Sequence, residues 1–476
     1  MRDFIRDLNE ITAIINSFYK ENLTNNKSKV LECITVRTDE DFLNNRASTY
    51  VEAAGNSPVF KELLLKVPCN GVCRKCSECC IRKYCNSYIL KKRKKSAESL
   101  QMVDLFCGAG GLSLGFSQEG FSTALANDIE PCCVDTYAHN HPETPRDHIV
   151  LGDIRLVTDH LEELLKNNSI DIVVGGPPCQ GFSVANRQRL IDDPRNHLYK
   201  SYVDIVQRVK PRFFVMENVK GMLSVADQVK EDFRNIGYSV ECHILNAKDY
   251  GVPQNRERLI YIGNRLNIDN EMIFDEIFSL SQNIKKHVLS DAIYGLRPLE
   301  ASRIRNSTEI GSDKTGYVIE KNNILKSNDY IELINQGKAN PLVFNHKARY
   351  NNDRDIEIYG RMYQGDKSDD PKIADIMPYK RRNGIFKDKY FKLEEDKISK
   401  TITAHMKFDC NMYIHPTQAR GLTPREAARI QSYPDDYFFR GAYTKTYMQI
   451  GNSVPPLLGR AIAKIIKKYI LIHNAK

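Results

Sequence analysis

The chain between residues 101 and 265 alternates short apolar runs with amphipathic stretches. Apolar runs of this length predict buried strands, and the stretches between them predict helices. The predicted strands are "MVDLF", "STALAN", "HIVLGD", "IDIVVGG", "RFFVMENV" and "RLIYIG". Such an alternation predicts an α/β fold, in which a doubly wound sheet carries helices on both faces.

The rest of the chain divides by its pattern into an N-terminal extension and three sections after the sheet. Residues 266–395 are polar, rich in Asn, Lys, Asp and Tyr, and show few clear periods. Beyond them, "TPREAARI" predicts a helix and "PPLLGRAIAKIIKKYILI" predicts a final amphipathic helix. We therefore expect an extension over 1–98, a catalytic domain over 99–265, a hinge segment over 396–449 and a closing segment over 450–476.

The composition narrows the class of protein. The chain has 476 residues, of which 41% are hydrophobic and 27% charged, as in soluble globular proteins of two or three domains. A net charge of +9 favours a polyanionic partner. With no apolar signal segment and no run near 18 apolar residues, we expect a cytoplasmic protein without a membrane span. The 13 cysteines then favour free thiols, metal ligands or catalysis over disulfides.

The stretch "VDLFCGAGGLSLGF" predicts a strand, a glycine turn and a helix that together bind a cofactor. Gly108, Gly110 and Gly111 allow a tight turn and a close approach of the backbone to a ligand. The second strand ends in Asp128, whose carboxylate can accept hydrogen bonds from ribose hydroxyls, and Asp153 follows the third strand, where it can meet an adenine edge. Ordinary strand-end turns are the alternative, but the order of the three signals favours a nucleotide-type site.

The stretch "GGPPCQGFS" holds Cys179 at the carboxyl end of a predicted buried strand, the edge where ligands bind in open α/β sheets. Pro177 and Pro178 fix the backbone before it. A thiol is a strong nucleophile even when only a few per cent of it is ionised at neutral pH. The alternative is a buried structural cysteine, a common fate of this residue.

Two further stretches supply polar groups at the same edge of the sheet. "FFVMENV" ends in Glu217, where a carboxyl group can act as an acid. "VPQNRERLIYIG" places Arg256 and Arg258 just before a strand, where a guanidinium can pair with a carboxylate or hold a carbonyl oxygen. Solvated charges on a surface hairpin are the alternative for the two arginines.

These stretches together resemble the DNA (cytosine-5)-methyltransferases. "DLFCGAGGLSLGF", "GGPPCQGFS", "ENV", "QNRER", "RGLTPREAARIQSYP" and "GNSVPP" occur in the order of that family, over about 101–265 and 396–466. The resemblance implies a Rossmann-like S-adenosylmethionine-dependent methyltransferase fold with a smaller target-recognition domain. Residues 266–395 stand where the family carries that domain, so DNA sequence specificity is expected there.

The resemblance also implies a catalytic set. Cys179 resembles the nucleophile that adds to C6 of cytosine, and Glu217 resembles the acid that engages N3. Arg258 resembles the residue that holds the cytosine O2, and Arg256 the one that braces the glutamate. The methyl group of S-adenosylmethionine then transfers to C5, on a cytosine that the enzyme has flipped out of the duplex.

A cofactor pocket and partners follow from the same resemblance. The implied partner is double-stranded DNA, joined by a cognate restriction endonuclease if the enzyme is half of a restriction–modification pair rather than a solitary methylase, and the implied state is a monomer. The loop "QGFSVANRQRL" resembles a mobile loop that closes on DNA. The residues that resemble the S-adenosylmethionine pocket are Phe106, Gly108, Gly110, Gly111, Leu112, Asp128, Ile129, Asp153, Ile154, Pro178, Asn452 and Ser453.

A cysteine-rich segment, "PCNGVCRKCSECCIRKYC", departs from the family pattern. Four thiolates in one small loop suit tetrahedral zinc, and the tight spacing also suits an iron–sulfur cluster; a segment without metal is the third reading. The basic run "KKRKK" that follows suggests contact with phosphate. The predicted ligands are Cys73, Cys76, Cys79 and Cys85, with Cys69 and Cys80 as further candidates.

Two other functions compete with DNA methylation. A tRNA cytosine methyltransferase of the related branch would show a different residue after "PPCQ" and no large recognition section, so Gly181 and residues 266–395 argue against it. A non-catalytic DNA-binding protein that kept the fold would be expected to have lost the nucleophile, the glutamate or the glycine turn. All three are present.

Overall fold

The computed structural model describes residues 99–141, 144–165, 168–178, 197–305, 311–321, 327–337, 342–378 and 389–474. Cys179 and the loop that follows it lie outside these residues. So do the extension 1–98 and all six candidate metal ligands between Cys69 and Cys85. The predictions made for these positions stay predictions.

A seven-stranded mixed sheet forms the centre of the molecule, in the order β3-β2-β1-β4-β5-β7-β6. Strands β3, β2, β1, β4 and β5 run parallel to one another, whereas β7 runs antiparallel to both β5 and β6. The strands are β1 (Leu100–Leu105), β2 (Phe121–Asp128), β3 (Ile149–Leu151), β4 (Ile172–Gly175), β5 (Phe213–Asn218), β6 (Ser239–Asn246) and β7 (Glu257–Asn264).

The predicted α/β architecture is confirmed, and all six predicted strands occur in the sheet. The prediction missed β6, whose sequence "SVECHILN" mixes polar and apolar residues. The reason is its place at the sheet edge, where it pairs with β7 alone and most of its residues are only partly buried. A strand of this kind lacks the continuous apolar run that marks the strands buried on both faces.

Helices cover both faces of the sheet, as the sequence predicts. Met102, Val174 and Val215 pack on one face within the core that includes the final helix, and Val103, Val173 and Phe214 pack on the other. No helix among the described residues is long and apolar enough to cross a membrane. The flanking helices are α1 (Gly111–Gln118), α2 (Pro131–Asn140), α3 (Ile154–Asp159), α4 (Leu161–Leu165), α5 (His197–Val209), α6 (Ala226–Asn235) and α7 (Asn270–Gln282).

Beyond α7, which covers the sheet, the described parts of residues 283–395 fold into short elements. A two-stranded antiparallel sheet lies within this region, and a small separate core forms around Tyr359 and Tyr390. Short elements explain why the sequence shows few clear periods here. They are α8 (Leu289–Ile293), β8 (Ile319–Lys321), α9 (Asp329–Asn335), β9 (Leu342–Phe344) and α10 (Asp353–Arg361).

Three helices complete the chain: α11 (Pro424–Ile430), α12 (Tyr443–Asn452) and α13 (Pro456–Asn474). Both helices predicted from the sequence, α11 and α13, are confirmed. The last of them returns to pack against α1, where a Cβ added to Gly115 would lie 2.5 Å from the carbonyl oxygen of Pro456. The C-terminal part of the chain therefore rests directly on the helix that follows the glycine turn.

Helix α11 carries a buried cluster of ion pairs. Arg420 donates to both carboxylate oxygens of Glu426, at 2.8 and 2.7 Å, and Arg429 donates to both of Asp435, at 2.6 and 2.9 Å. All four side chains are fully buried. Charges removed from water in this way are tolerated only when paired and hydrogen-bonded, so each partner depends on the other.

Arg420, Arg429 and the neighbouring Arg425 also bind backbone carbonyl groups of distant segments. Arg429 donates to the carbonyl oxygen of Tyr294 at 2.8 Å, and Arg425 donates to that of Phe344 at 2.6 Å. Arg420 donates to the carbonyl oxygen of Leu299 at 3.2 Å. The segment "RGLTPREAARIQSYP" therefore holds the backbone at Tyr294, Leu299 and Phe344 through guanidinium–carbonyl bonds.

Candidate cofactor and catalytic site

The turn between β1 and α1 is built from backbone conformations that side chains disfavour. Gly108 and Gly110 have φ of 53° and 80°, and Phe106 has φ of 55° although it is not a glycine. A Cβ on Gly110 would lie 2.8 Å from both His141 Nε2 and the Tyr437 hydroxyl. Strained backbone of this kind concentrates at ligand sites, which agrees with the cofactor site expected at this turn.

The C-terminal motif "GNSVPP" closes against the same turn. A Cβ on Gly111 would lie 2.2 Å from Ser453 Oγ, so only glycine permits this approach. Ser453 is buried and shares a hydrogen bond with the Tyr433 hydroxyl, while Asn452 is exposed at the end of α12. The structure thus brings together Gly111 and Ser453, which the sequence places far apart.

The carboxyl ends of β2 and β3 add two acids and an apolar surface. Asp128 accepts hydrogen bonds from the backbone N–H groups of Gly108 and Glu130, both at 2.8 Å, and burial raises its pKa. Ile129 next to it is 66% exposed. Asp153 caps α3 and pairs with Arg155 at 2.8 Å, and those hydrogen bonds lower the pKa of Asp153.

The remaining cofactor candidates differ in their exposure. Leu112 and Ile154 are buried in the two cores of the sheet, so their side chains pack beneath the site. Phe106 is partly buried and packs against the second of these cores. Pro178 is exposed, whereas Pro177 before it is buried.

Asp104 is a residue at this site that the sequence analysis missed. It lies in β1, is fully buried, and its Oδ2 has no hydrogen-bond partner among the described residues. Burial raises the pKa of Asp104 to about 7, against the opposing effect of a hydrogen bond from Ser113. An acid inside the otherwise apolar run "MVDLF" was the signal that could have identified it.

The second half of the site forms where β4, β5 and β7 converge. Arg258 Nε lies 2.6 Å from Glu217 Oε1, and the two side chains are 15% and 12% exposed. A Cβ on Gly176 would lie 2.8 Å from Glu217 Oε2, and Asn218 donates to the Pro177 carbonyl oxygen at 3.0 Å. The segment that leads into Cys179 is therefore held against the glutamate, although Cys179 itself lies outside the described residues.

The role expected of Arg256, bracing the glutamate, stays a prediction; in the structure it is Arg258 that contacts Glu217 directly, while Arg256 interacts with that carboxylate only through its charge. Arg256 is fully buried and donates to the carbonyl oxygens of Ile402 and Gly451, at 2.7 and 2.9 Å. Burial lowers the pKa of Arg256 to about 9, and its Nε has no partner among the described residues. The difference arises because Arg258 lies in β7 beside β5, whereas Arg256 precedes the strand and extends into the interior.

A metal site does not occur within the described ranges. There, no group of three or more His, Cys, Asp or Glu side chains is arranged to hold an ion. This finding does not bear on the cysteines of residues 69–85, which are outside those ranges.

Comparison with known proteins agrees with the resemblance. Residues 100–468 match the family model described as C-5 cytosine-specific DNA methylase. The type II methyltransferase M1.HphI of Haemophilus parahaemolyticus is 35% identical over 395 residues, covering 81% of this chain and 91% of that protein. The type II methyltransferase M.DdeI of Desulfomicrobium norvegicum is 34% identical over 396 residues, covering 78% and 89%.

Among solved structures, a prophage-encoded Escherichia coli protein assigned as a DNA modification methyltransferase is similar, with a TM-score of 0.61 and 26% identity. The match covers 78% of this chain and all of that one. The family match spans more than half of the chain and includes both halves of the site. The chain belongs to the C-5 cytosine-specific DNA methylase family.

Proposed function

We propose that this protein transfers a methyl group from S-adenosylmethionine to C5 of cytosine in duplex DNA, as the modification enzyme of a type II restriction–modification system. One observation carries the proposal: the Glu217–Arg258 pair, with 2.6 Å between its atoms, stands against Gly176 at the start of "GPPC". Membership in the DNA methylase family and the type II relatives support it.

The residues at the glycine turn fit S-adenosylmethionine. Ile129 offers an exposed apolar surface for the adenine ring, with Asp128 and Asp153 at the ends of the neighbouring strands as acceptors for ribose and adenine groups. The buried Asp104 oxygen, which has no hydrogen-bond partner within the described part of the chain, favours a cationic ligand over a neutral one. When bound, the cofactor supplies an electrophilic methyl group.

The catalytic residues make the cytosine ring reactive. C6 is a poor electrophile until N3 receives a proton or a strong hydrogen bond, which Glu217 supplies while Arg258 fixes its carboxyl group. The Cys179 sulfur then bonds to C6, and an electron pair moves to C5, which becomes the nucleophile. After methylation, a base such as water takes the C5 proton, the electron pair of that C–H bond restores the C5–C6 double bond, and the C6–S bond breaks to release the thiolate of Cys179.

Arg256 has a positioning role in this proposal. Its guanidinium joins Gly451, which precedes Asn452 and Ser453, to Ile402. Gln254 accepts from the Ile402 N–H at 2.6 Å and donates to Gln431, so the segment before β7 is fixed on both sides. The cofactor side and the catalytic side of the site are therefore held by one buried hydrogen-bond network.

The test is methyl transfer from radiolabelled S-adenosylmethionine to unmethylated duplex DNA and to tRNA, offered side by side. We expect label in 5-methyldeoxycytidine only, no transfer by Cys179→Ala, and normal transfer by the matched variant Cys242→Ala, whose cysteine lies on the edge strand β6. Label in tRNA alone, or none in DNA that the protein still binds, would overturn the proposal.

For the cysteine-rich segment we keep a structural metal as a proposal. Four thiolates from Cys73, Cys76, Cys79 and Cys85 would hold zinc or an iron–sulfur cluster. Metal analysis of the purified chain should find either one zinc ion and no visible absorption, or iron and sulfide together with visible absorption. A metal-free chain that is fully folded and active would reject both.

A further inference from the structure

Residues 399–410 lie alongside the segment that leads into Arg258. Ser399 donates its backbone N–H to the Pro253 carbonyl oxygen at 2.9 Å and accepts from the Asn255 N–H at 3.0 Å. The Thr401 hydroxyl also bonds to the Asn255 carbonyl oxygen. These residues are therefore fixed relative to the strand that carries the catalytic arginine.

A short 3-10 helix, Ala404–Lys407, presents a cationic and aromatic tip on this segment. Phe408, directly after it, is 65% exposed, with Lys407 Nζ 4.9 Å from its ring centroid and the His405 ring 5.2 Å away, edge to face. Met406 is fully buried and anchors the turn. A single exposed apolar residue is unremarkable. Here Lys407 lies over the ring and Asp409 follows it. The same segment is bonded through Ser399 and Thr401 to the chain before β7, which suits a DNA base stacked next to a phosphate.

The guanidinium of Arg349 holds the backbone of the tip in place. Arg349 donates to the carbonyl oxygens of Met406 and Phe408, at 2.9 and 3.1 Å, and to Cys410 Sγ at 3.1 Å. The same guanidinium lies over the Tyr447 ring, 5.5 Å from its centroid. A side chain presented on fixed backbone loses less entropy on binding than one on a loose loop.

We propose that Phe408 stacks on a DNA base next to the flipped cytosine, while Lys407 pairs with a neighbouring phosphate. The inference rests on the proposed function, since it needs duplex DNA in the site. Removing a cytosine from the stack exposes its neighbours, and an aromatic side chain can replace the lost stacking contact. The ring thus offsets part of the cost of flipping, independently of the DNA sequence that is recognised.

The test measures binding to a target duplex that carries 2-aminopurine at the flipped position, after sequencing has identified the methylated site. Phe408→Ala should bind about tenfold more weakly and show a reduced fluorescence increase, because a stacked base is lost. Phe408→Trp should stay within about threefold of wild type, because it keeps the aromatic contact. Lys407→Gln should lower the slope of log affinity against log salt by about 0.9, the value for one phosphate contact.

Phe278→Ala is the matched control, since Phe278 is another exposed phenylalanine but lies on α7. It should bind DNA as wild type, and S-adenosylmethionine affinity and thermal midpoint should be unchanged in Phe408→Ala. Wild-type binding and flipping by Phe408→Ala would overturn the inference, as would equal losses in Phe408→Ala and Phe408→Trp. If the wild type itself methylates no DNA, the proposed function fails instead.

Discussion

Arginine–carboxylate pairs serve two different purposes in this protein. Glu217 and Arg258 meet at the edge of the sheet, remain 12% and 15% exposed, and lie against the segment that leads into Cys179. Arg429 and Asp435 meet in the interior with at most 1% exposure. A pair at the sheet edge leaves its carboxylate accessible to a substrate. In a buried pair, the guanidinium of Arg429 also donates to backbone carbonyl groups and so stabilises the fold.

This difference predicts opposite consequences of similar substitutions. Loss of a partner at the sheet edge removes a chemical function but leaves the remaining charge near water. Loss of a partner in the interior leaves an uncompensated buried charge, which costs several kcal/mol of stability. Activity and free energy of unfolding should therefore separate cleanly between the two regions.

The largest effect is expected at the sheet edge. Glu217→Gln should lower kcat by roughly 10²–10⁴-fold, because a neutral amide cannot supply the proton that activates N3. Single-turnover methyl transfer measures the change, and cofactor binding near wild type shows that the pocket is intact. Equal activity in this variant would mean that another group activates the ring.

The interior pair should respond through stability. Arg429→Met should lower the free energy of unfolding by about 3–5 kcal/mol in urea denaturation, because Asp435 stays buried without its cation. Arg361→Met breaks the exposed ion pairs with Glu357 and Asp375 and should leave the free energy of unfolding close to that of wild type. Recovery of most of the loss in Arg429→Met/Asp435→Leu would attribute it to the unpaired carboxylate; no recovery would attribute it to lost packing.

Two buried histidines should make the free energy of unfolding fall in acid. Burial lowers the pKa of His346 to about 4 and of His415 to about 3, against an unfolded value near 6.5. Between those values the unfolded chain binds more protons, so stability falls as pH drops from about 6.5 towards 4, by up to about 1.4 kcal/mol per pH unit for each histidine. Urea denaturation at several pH values measures the slope, and His346→Gln should reduce it. An unchanged slope would contradict the assignment.

The smallest effect distinguishes the two neighbouring arginines. Arg258→Lys should lower kcat about tenfold with unchanged cofactor affinity, because an ammonium group does not reproduce the planar guanidinium that fixes Glu217. Arg256→Lys should instead lower the free energy of unfolding by about 1 kcal/mol, since the Gly451 or Ile402 carbonyl oxygen loses a donor. The reverse result would support the bracing role expected of Arg256.

Local features of the sequence predicted much of the sheet and the glycine turn. Continuous apolar runs mark strands buried on both faces, and glycine marks the turn where Gly110 and Gly111 admit no Cβ. The hydrophobic pattern did not predict elements whose position depends on contacts with distant parts of the chain. Strand β6 lies at the sheet edge, and the backbone at Phe344 is held by Arg425, which is 81 residues away in the chain.

The arginine roles could not be predicted for a similar reason. Arg256 and Arg258 are two residues apart, and only the folded chain shows that one extends into the interior and the other towards Glu217. Asp104, by contrast, was predictable in principle. A single acid in a buried strand has to find a partner, a proton or a cationic ligand.

In the proposed reaction, Cys179 forms a covalent bond to C6 of cytosine while Glu217 acts as the acid. Trapping on duplex DNA that contains 5-fluorodeoxycytidine, with S-adenosylmethionine present, tests this bond directly. After methyl transfer C5 carries fluorine in place of the proton that a base would remove, so elimination is blocked and the adduct persists. We predict a complex that survives denaturing electrophoresis for wild type and Cys242→Ala, and none for Cys179→Ala. A persistent complex in Cys179→Ala, or none in a wild type that methylates ordinary DNA, would contradict the account.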